Sequence, residues 1–95
     1  MRTRHVKYDI SRSETKKLKL ICRGNDEIRE ELHDAAWETY PGIARYLIDS
    51  IYKGTSYDTM CKREQIPINI GDFYAYRRKC LSILKDKLIT SGKYG

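Results

Sequence analysis

Apolar residues recur three and four positions apart along most of the chain, and this spacing places their side chains on one face of an α-helix. The pattern is interrupted at Gly24, Pro41, Gly54 and Pro67, which are residue types that end or turn helices. A length of 95 residues fits one domain. We therefore predict an all-α fold, a small five-helix domain with a C-terminal helix-turn-helix.

Three helices are predicted to form a support in residues 11–53. Ser11 has the right spacing to Glu14 for a capping box, in which each residue satisfies a free backbone amide of the other. Gly24 supplies a left-handed stop. Asn25 is the expected cap of the second helix, whose first turn is acidic, as the helix dipole favours. The acidic residues of this region therefore have a structural explanation.

Pro41 suits the first turn of the third helix, which is predicted to end at Gly54. The predicted core of the three helices contains Leu18, Ile21, Cys22, Ile28, Leu32, Ala35, Ala36, Tyr40, Ile43, Leu47 and Ile51. The acidic side chains predicted to lie largely in water are Glu30, Glu31, Asp34 and Glu38. Trp37 is interpreted as a core residue between the second and third helices, with a partner surface as the alternative.

Residues 54–90 have the order turn, short helix, turn and long helix, which is the order of a helix-turn-helix. Thr55, followed by Asp58, is predicted to cap the short helix, which runs to about Arg63. Pro67 lacks a backbone amide and pushes the preceding residue toward an extended conformation, so the chain is expected to change direction there.

The long helix has three start signals that agree. Asn69 is a cap residue, Asp72 completes a partial capping box, and Ile68 is placed to touch Phe73 as a hydrophobic staple. The predicted inward face is Phe73, Tyr76, Cys80, Ile83, Leu84 and Leu88. The predicted outward face is Gly71, Asp72, Ala75, Arg78, Lys79 and Ser82. Small residues near the helix start would allow close approach to a major groove, and Arg78 would reach phosphate or guanine.

The charges favour an anionic partner. The formal net charge is +6 and the sequence pI is about 9.3. Basic residues outnumber acidic ones in residues 1–24 and 55–95, whereas acidic residues dominate the middle. Lys62 and Arg63, at the end of the short helix, are expected to contact phosphates, because the first helix of this motif crosses the DNA backbone; a solvated helix end is the alternative.

Two further basic elements have alternative interpretations. Arg77 lies near the edge of the apolar face, so it either contacts DNA, or snorkels across packed side chains, or pairs with an acid. Residues 1–10 are interpreted as a flexible basic arm. Its Arg2, Arg4, His5 and Lys7 either add a phosphate or minor-groove contact or form a frayed tail.

Several other classes of protein are disfavoured. No apolar stretch approaches the roughly 20 residues that span a bilayer, and no signal peptide is recognisable, so we expect a cytoplasmic protein without membrane contact. Cys22, Cys61 and Cys80 have neither metal-ligand spacing nor a disulfide pattern, and each is predicted to be a small core residue. His5 and His33 are isolated, and no Gly-rich phosphate loop occurs, so an enzyme, a metal site and a cofactor are not expected.

The run Asp72-Phe73-Tyr74-Ala75-Tyr76-Arg77-Arg78-Lys79 resembles the C-terminal helix-turn-helix of phage-associated transcriptional regulators of the ArpU/RinA kind, which is similar to the last DNA-binding region of sigma factors. The start Tyr8-Asp9-Ile10-Ser11 and the middle Ala44-Arg45-Tyr46-Leu47-Ile48 also resemble small phage proteins of this group. The resemblance implies sequence-specific binding of promoter DNA by a phage or mobile-element regulator. The helix from Asn69 onward would then lie in the major groove.

The predicted partner is double-stranded DNA, and the residues expected to contact it are Thr55, Lys62, Arg63, Gly71, Tyr74, Ala75, Arg77, Arg78 and Lys79. A homodimer on a palindromic operator is compatible with this hypothesis, because helix-turn-helix units commonly dimerise. The alternative is a phage-type protein-binding module. It would act on RNA polymerase or another host protein through the acidic helix of residues 25–40.

Overall fold

The computed structural model describes residues 10–94, which form five α-helices joined by short connections. In chain order, α1 spans Arg12–Cys22, α2 Arg29–Thr39, α3 Ala44–Lys53, α4 Tyr57–Arg63 and α5 Ile70–Ser91. Single turns of 3-10 helix precede α2 at Asp26–Ile28 and α3 at Pro41–Ile43. The prediction of an all-α fold with five helices is confirmed. Arg2, Arg4, His5 and Lys7 of the predicted basic arm lie outside the described residues.

The start of α1 has the predicted capping box. The Ser11 hydroxyl accepts a hydrogen bond from the Glu14 amide at 3.0 Å, and the Glu14 carboxylate accepts one from the Ser11 amide at 3.3 Å. The Asn25 side chain likewise accepts from the Glu27 amide at 2.9 Å and so caps the turn that leads into α2. These local signals were readable because each involves residues two or three apart in the sequence.

The ends of α1 and α3 meet at two glycines. The Gly24 amide donates to the Tyr52 carbonyl at 2.9 Å. Gly54 has a φ of +76°, and the Arg23 guanidinium lies where a Cβ of residue 54 would be. Gly54 is therefore required both by its left-handed backbone and by the close approach of Arg23.

Helix α5 is the central element and packs against α1, α2 and α3. Its fully buried residues are Phe73, Cys80, Leu81, Leu84 and Leu88. The predicted inward face is thus confirmed at four of its positions, while Tyr76 and Ile83 are half-buried. The prediction omitted Leu81. The other helices contribute Leu18, Cys22, Ile28, Leu32, Ala35, Ala36, Ile43, Leu47, Ile51 and Met60 to the same core.

Two aromatic predictions for α2 are wrong. Trp37 is 49% exposed, and its indole N–H donates to His33 Nε2 at 3.1 Å. Tyr40 is 37% exposed and lies edge-on to Tyr76, with 5.0 Å between ring centroids. The buried position at this end of α2 is taken by Thr39, whose hydroxyl donates to the Ala35 carbonyl. A small side chain therefore closes the core, and the large rings lie on its outside.

The cysteine prediction holds at two of three positions. Cys22 and Cys80 are fully buried, and burial raises the pKa of each thiol to about 12. Cys61 is exposed, because the short helix α4 buries Met60 and turns Cys61 to solvent. Within residues 10–94, even the long helix α5 lacks the apolar run needed to cross a bilayer.

Candidate nucleic-acid interface

The two helices of the predicted motif are separated by an irregular connection at residues 64–69, as the position of Pro67 predicted. Ser56, not Thr55, caps α4: its hydroxyl accepts from the Thr59 amide at 3.2 Å. The predicted cap was wrong by one residue, because both neighbours carry a hydroxyl and the helix begins at Tyr57. Thr55 itself is half-buried.

The start of α5 follows the prediction. The Asn69 side chain accepts a hydrogen bond from the Asp72 amide at 2.8 Å, and Asn69 Nδ2 donates to the Asp72 carboxylate at 3.2 Å. Asp72 is thereby held at the cap. The connection, the cap and the helix start together fix where the exposed side of α5 begins.

Two tyrosines join α4 to α5. The Tyr57 amide donates to the Tyr74 hydroxyl at 3.1 Å, and the Tyr57 hydroxyl donates to the Ile68 carbonyl. The Tyr57 ring also lies 5.5 Å from the Phe73 ring, centroid to centroid. These contacts set the position of α4 relative to the first turns of α5. Tyr74, which was expected to contact DNA, is half-buried and uses its hydroxyl to hold α4.

The outward side of α5 near its start is small and open. Gly71, Ala75 and Arg78 are exposed, whereas Lys79 is half-buried. A Cβ added at Gly71 would touch only Asn69 Oδ1, at 3.4 Å. We call the exposed strip of Gly71, Ala75 and Arg78 the outer strip of α5. It offers two small residues in the first turns and an arginine one turn further along.

Arg77 does not share this outward orientation. It is half-buried, its Nη1 donates to the Ser50 hydroxyl at 3.1 Å, and its guanidinium lies 4.5 Å from the centre of the Tyr74 ring. Burial lowers the pKa of Arg77. Of the alternatives weighed for Arg77, the packed position is the observed one, but without an acid: no carboxylate of residues 10–94 forms an ion pair with it.

A basic stripe on α1 lies beside this arginine. Arg12, Lys16 and Lys19 are spaced four and three residues apart, which places them on one side of the helix, and Arg23 follows at its C-cap. The pKa of Lys19 is lowered, first by burial and then by the positive charges of Arg77, Arg23 and Lys16. Arg77, Arg23 and Lys16 therefore lie close enough to Lys19 to add to one positive region. The stripe was not predicted, although its spacing is visible in the sequence.

The basic end of α4 is partly neutralised. Arg63 Nη2 lies 3.1 Å from Asp49 Oδ2, and Lys53 shares the same carboxylate at 3.8 Å. Lys62 is exposed. The Arg63 side chain is 57% exposed, whereas that of Asp49 is 21% exposed, so a phosphate would reach the arginine from the solvent side.

The acidic side of α2 is less available than predicted. Glu31 is bound by Lys93 at 2.9 Å, and its side chain is only 16% exposed. Glu38 pairs with Lys87. The expectation that the acidic side chains lie largely in water therefore holds for Glu30, Asp34 and Glu38, which are exposed, but is wrong for Glu31. Lys87 of α5 and Lys93 just beyond it thus pair with α2, whereas Lys85 pairs with Glu14 of α1.

In residues 10–94 no group of three or more His, Cys, Asp or Glu side chains is arranged to hold a metal ion. Comparisons of the chain with protein-family models, with curated proteins and with solved structures found no match.

Proposed function

We propose that this protein is a sequence-specific, DNA-binding transcription regulator of phage or mobile-element type. The first half of α5 would enter the major groove, with the α1 stripe and the end of α4 on the phosphates. One observation carries the proposal: Arg77 and Arg78 differ in their partners from the lysines at the other end of α5 and just beyond it. The arginines in its first half have no carboxylate partner among the described residues, whereas Lys85, Lys87 and Lys93 pair with acids.

The shape of α5 suits this role. The helix has 22 residues, so it is roughly 33 Å long, and its second half is fixed in the core. A major groove accepts an α-helix when small side chains permit close approach. Gly71 and Ala75 meet that condition, and Arg78 is positioned one turn later to reach a guanine edge or a phosphate.

The remaining candidate residues divide into two roles. Lys62 and Arg63 are assigned to the DNA backbone, as is the α1 stripe, because exposed cations supply the sequence-independent part of DNA affinity. Tyr74 is assigned to positioning, because its hydroxyl holds α4, whereas Arg77 is braced against Ser50 through one of its donors. Thr55 lies before the cap residue Ser56, and we assign it no contact with DNA.

A protein-binding module acting on RNA polymerase or another host protein is the second candidate. It is supported by Trp37, which is 49% exposed on the same helix as the exposed acids Glu30 and Asp34. It is weakened by the pairing of Glu31 and Glu38 with lysines. Two of the four acidic residues predicted to contact a partner protein are therefore already paired with lysines.

Fluorescence anisotropy with duplex DNA at low and moderate salt tests the proposal. Affinity is expected to fall steeply as salt rises, with a slope of about 0.9 per phosphate contact on logarithmic axes. Arg78→Ala should weaken binding by about tenfold or more if the residue reads a base. Arg29→Ala removes another exposed arginine, from α2, and should change affinity little.

Absence of duplex binding at low salt would contradict DNA binding and favour the protein-binding candidate. Equal affinity of Arg78→Ala and Arg29→Ala would remove the outer strip from the interface. If duplex DNA is bound, a genomic footprint of the tagged protein would identify the operator and test sequence specificity directly.

A further inference from the structure

A cavity of about 320 Å³ lies between α1 and the first half of α5. Three arginines line it: Arg12 from α1, and Arg77 and Arg78 from α5. Tyr74 and Leu81 contribute apolar wall. None of the described residues that line the cavity carries a carboxylate. Its volume is at the lower end of the range of about 300–1,000 Å³ that is typical of small-molecule sites.

The donors that face this cavity come from the arginines. Thr15 also lines it, but its hydroxyl donates to the Ser11 carbonyl at 3.0 Å and is therefore committed. Arg77 uses one N–H on Ser50 and keeps its other donors. Packing of the guanidinium against the Tyr74 ring holds its plane in place. Arg77 is thus a preorganised fork of the kind that binds phosphate oxygens in pairs.

The charge of this site is not balanced within the described part of the chain. Arg77 is half-buried, and its hydrogen-bond partner Ser50 is a neutral oxygen that is only 2% exposed. Lys19 adds further positive potential from α1. A partly buried cation without an anion is unfavourable, so a bound anion would stabilise this arrangement.

We propose that the cavity formed by Arg12, Arg77 and Arg78 is a phosphate site, and that it holds one backbone phosphodiester of the duplex. The second half of this inference rests on the proposed DNA-binding function. Because the arginines come from two helices, one phosphate would tie α1 to α5. The site would then fix how deeply and at what angle α5 enters the groove, independently of any contact to a base.

The first experiment scans a bound duplex with single methylphosphonate linkages, each of which removes the charge of one phosphate. At one backbone position the neutral linkage should weaken the binding of the wild-type protein by about tenfold. The Arg12→Gln variant should bind that modified duplex as tightly as it binds the unmodified one. Arg12 is exposed in the first turn of α1, where the helix dipole disfavours a cation, so this variant should fold normally. Arg29→Gln, the control variant, should keep the wild-type sensitivity at that position.

The second experiment titrates the protein with inorganic phosphate against chloride at equal ionic strength, monitored by NMR of the arginine Nε–H groups and the Thr15 amide. Saturable shifts that disappear in Arg12→Gln are expected. Arg77→Lys, which keeps the charge but loses the fork, should weaken both phosphate binding and the methylphosphonate effect. Circular dichroism of each variant establishes that it is folded.

The outcomes separate the two proposals. Duplex binding without any position coupled to Arg12 or Arg77, and without phosphate shifts, overturns the phosphate site and leaves DNA binding intact. Phosphate shifts without duplex binding overturn the proposed function and leave a site for free phosphate. Phosphate shifts together with duplex binding but without a coupled position overturn the assignment to the backbone. Absence of both signals overturns both proposals.

Discussion

Arg77 Nη1 donates a hydrogen bond to the hydroxyl of Ser50 at 3.1 Å, and this contact joins α5 to α3. Ser50 is 2% exposed, so the bond is protected from water. It places a charged donor from the first half of α5 against the support helices. This polar contact therefore adds to the apolar packing that orients the first half of α5 on the core.

Ser50→Ala should lower the free energy of unfolding by about 1 kcal/mol. The lost hydrogen bond to a charged group is partly offset by the better helix propensity of alanine and by the access of Arg77 to water. Urea denaturation measures the effect. Ser13→Ala, at an exposed position in the first turn of α1, is the matched control, and an equal change in both variants would contradict the structural role of the bond.

Gly71→Ala should separate stability from binding. The added Cβ meets only Asn69 Oδ1 at 3.4 Å, so alanine fits and should stabilise the helix by about 0.5–1 kcal/mol. If DNA approaches the outer strip of α5, the same methyl group should weaken duplex binding. Thermal melting and anisotropy measure the two effects, which are expected to have opposite signs. Unchanged affinity would place the DNA elsewhere.

Much of the fold could be predicted because its signals are local. The caps at Ser11, Asn25 and Asn69 involve partners two or three residues away, and the break near Pro67 follows from the chemistry of one residue. The inward face of α5 follows from helical periodicity, because nearly all of that face contacts the core. Leu81 was not predicted because the buried face of α5 is wider than a helical wheel suggests.

The parts that could not be predicted depend on contacts between distant residues. Glu31 is paired with Lys93, 62 residues further along the chain, and no spacing rule relates them. The charge stripe of α1 was visible as a pattern, but its position beside Arg77 follows from packing of α1 on α5. The residues of the candidate site that lie on α5 could therefore be predicted from the sequence, but the position of α1 beside them could not.

The single tryptophan provides a test of the corrected core. Because Trp37 is 49% exposed, Trp37→Ala should cost about 1 kcal/mol or less, well below the roughly 3–5 kcal/mol expected for a buried tryptophan. The fluorescence of the native protein should also be readily quenched by acrylamide. A blue-shifted, protected emission or a large loss of stability would contradict the exposed position.

Phe73→Ala should be far more destabilising than Trp37→Ala. The ring is fully buried and touches the rings of Tyr57 and Tyr74, so truncation should cost about 3–5 kcal/mol and unfold much of the chain. Phe73→Leu retains more of the side-chain volume and should remain folded with a smaller loss. Urea denaturation distinguishes the two variants. Similar stability of Phe73→Ala and wild type would remove the ring from the core.

Acid should weaken the contact between α2 and the end of α5. The hydrogen bond from Lys93 lowers the pKa of Glu31 below its ordinary value of 4.5. A carboxylate with a depressed pKa in the folded state stabilises the protein fully above that ordinary value, and the stabilisation is lost as the pH falls through the folded-state pKa. Glu31→Gln should therefore melt at a lower temperature than wild type at neutral pH, and the difference should shrink in acid. Glu30→Gln changes an exposed neighbour on the same helix, so identical acid profiles of the two variants would contradict the role of Lys93.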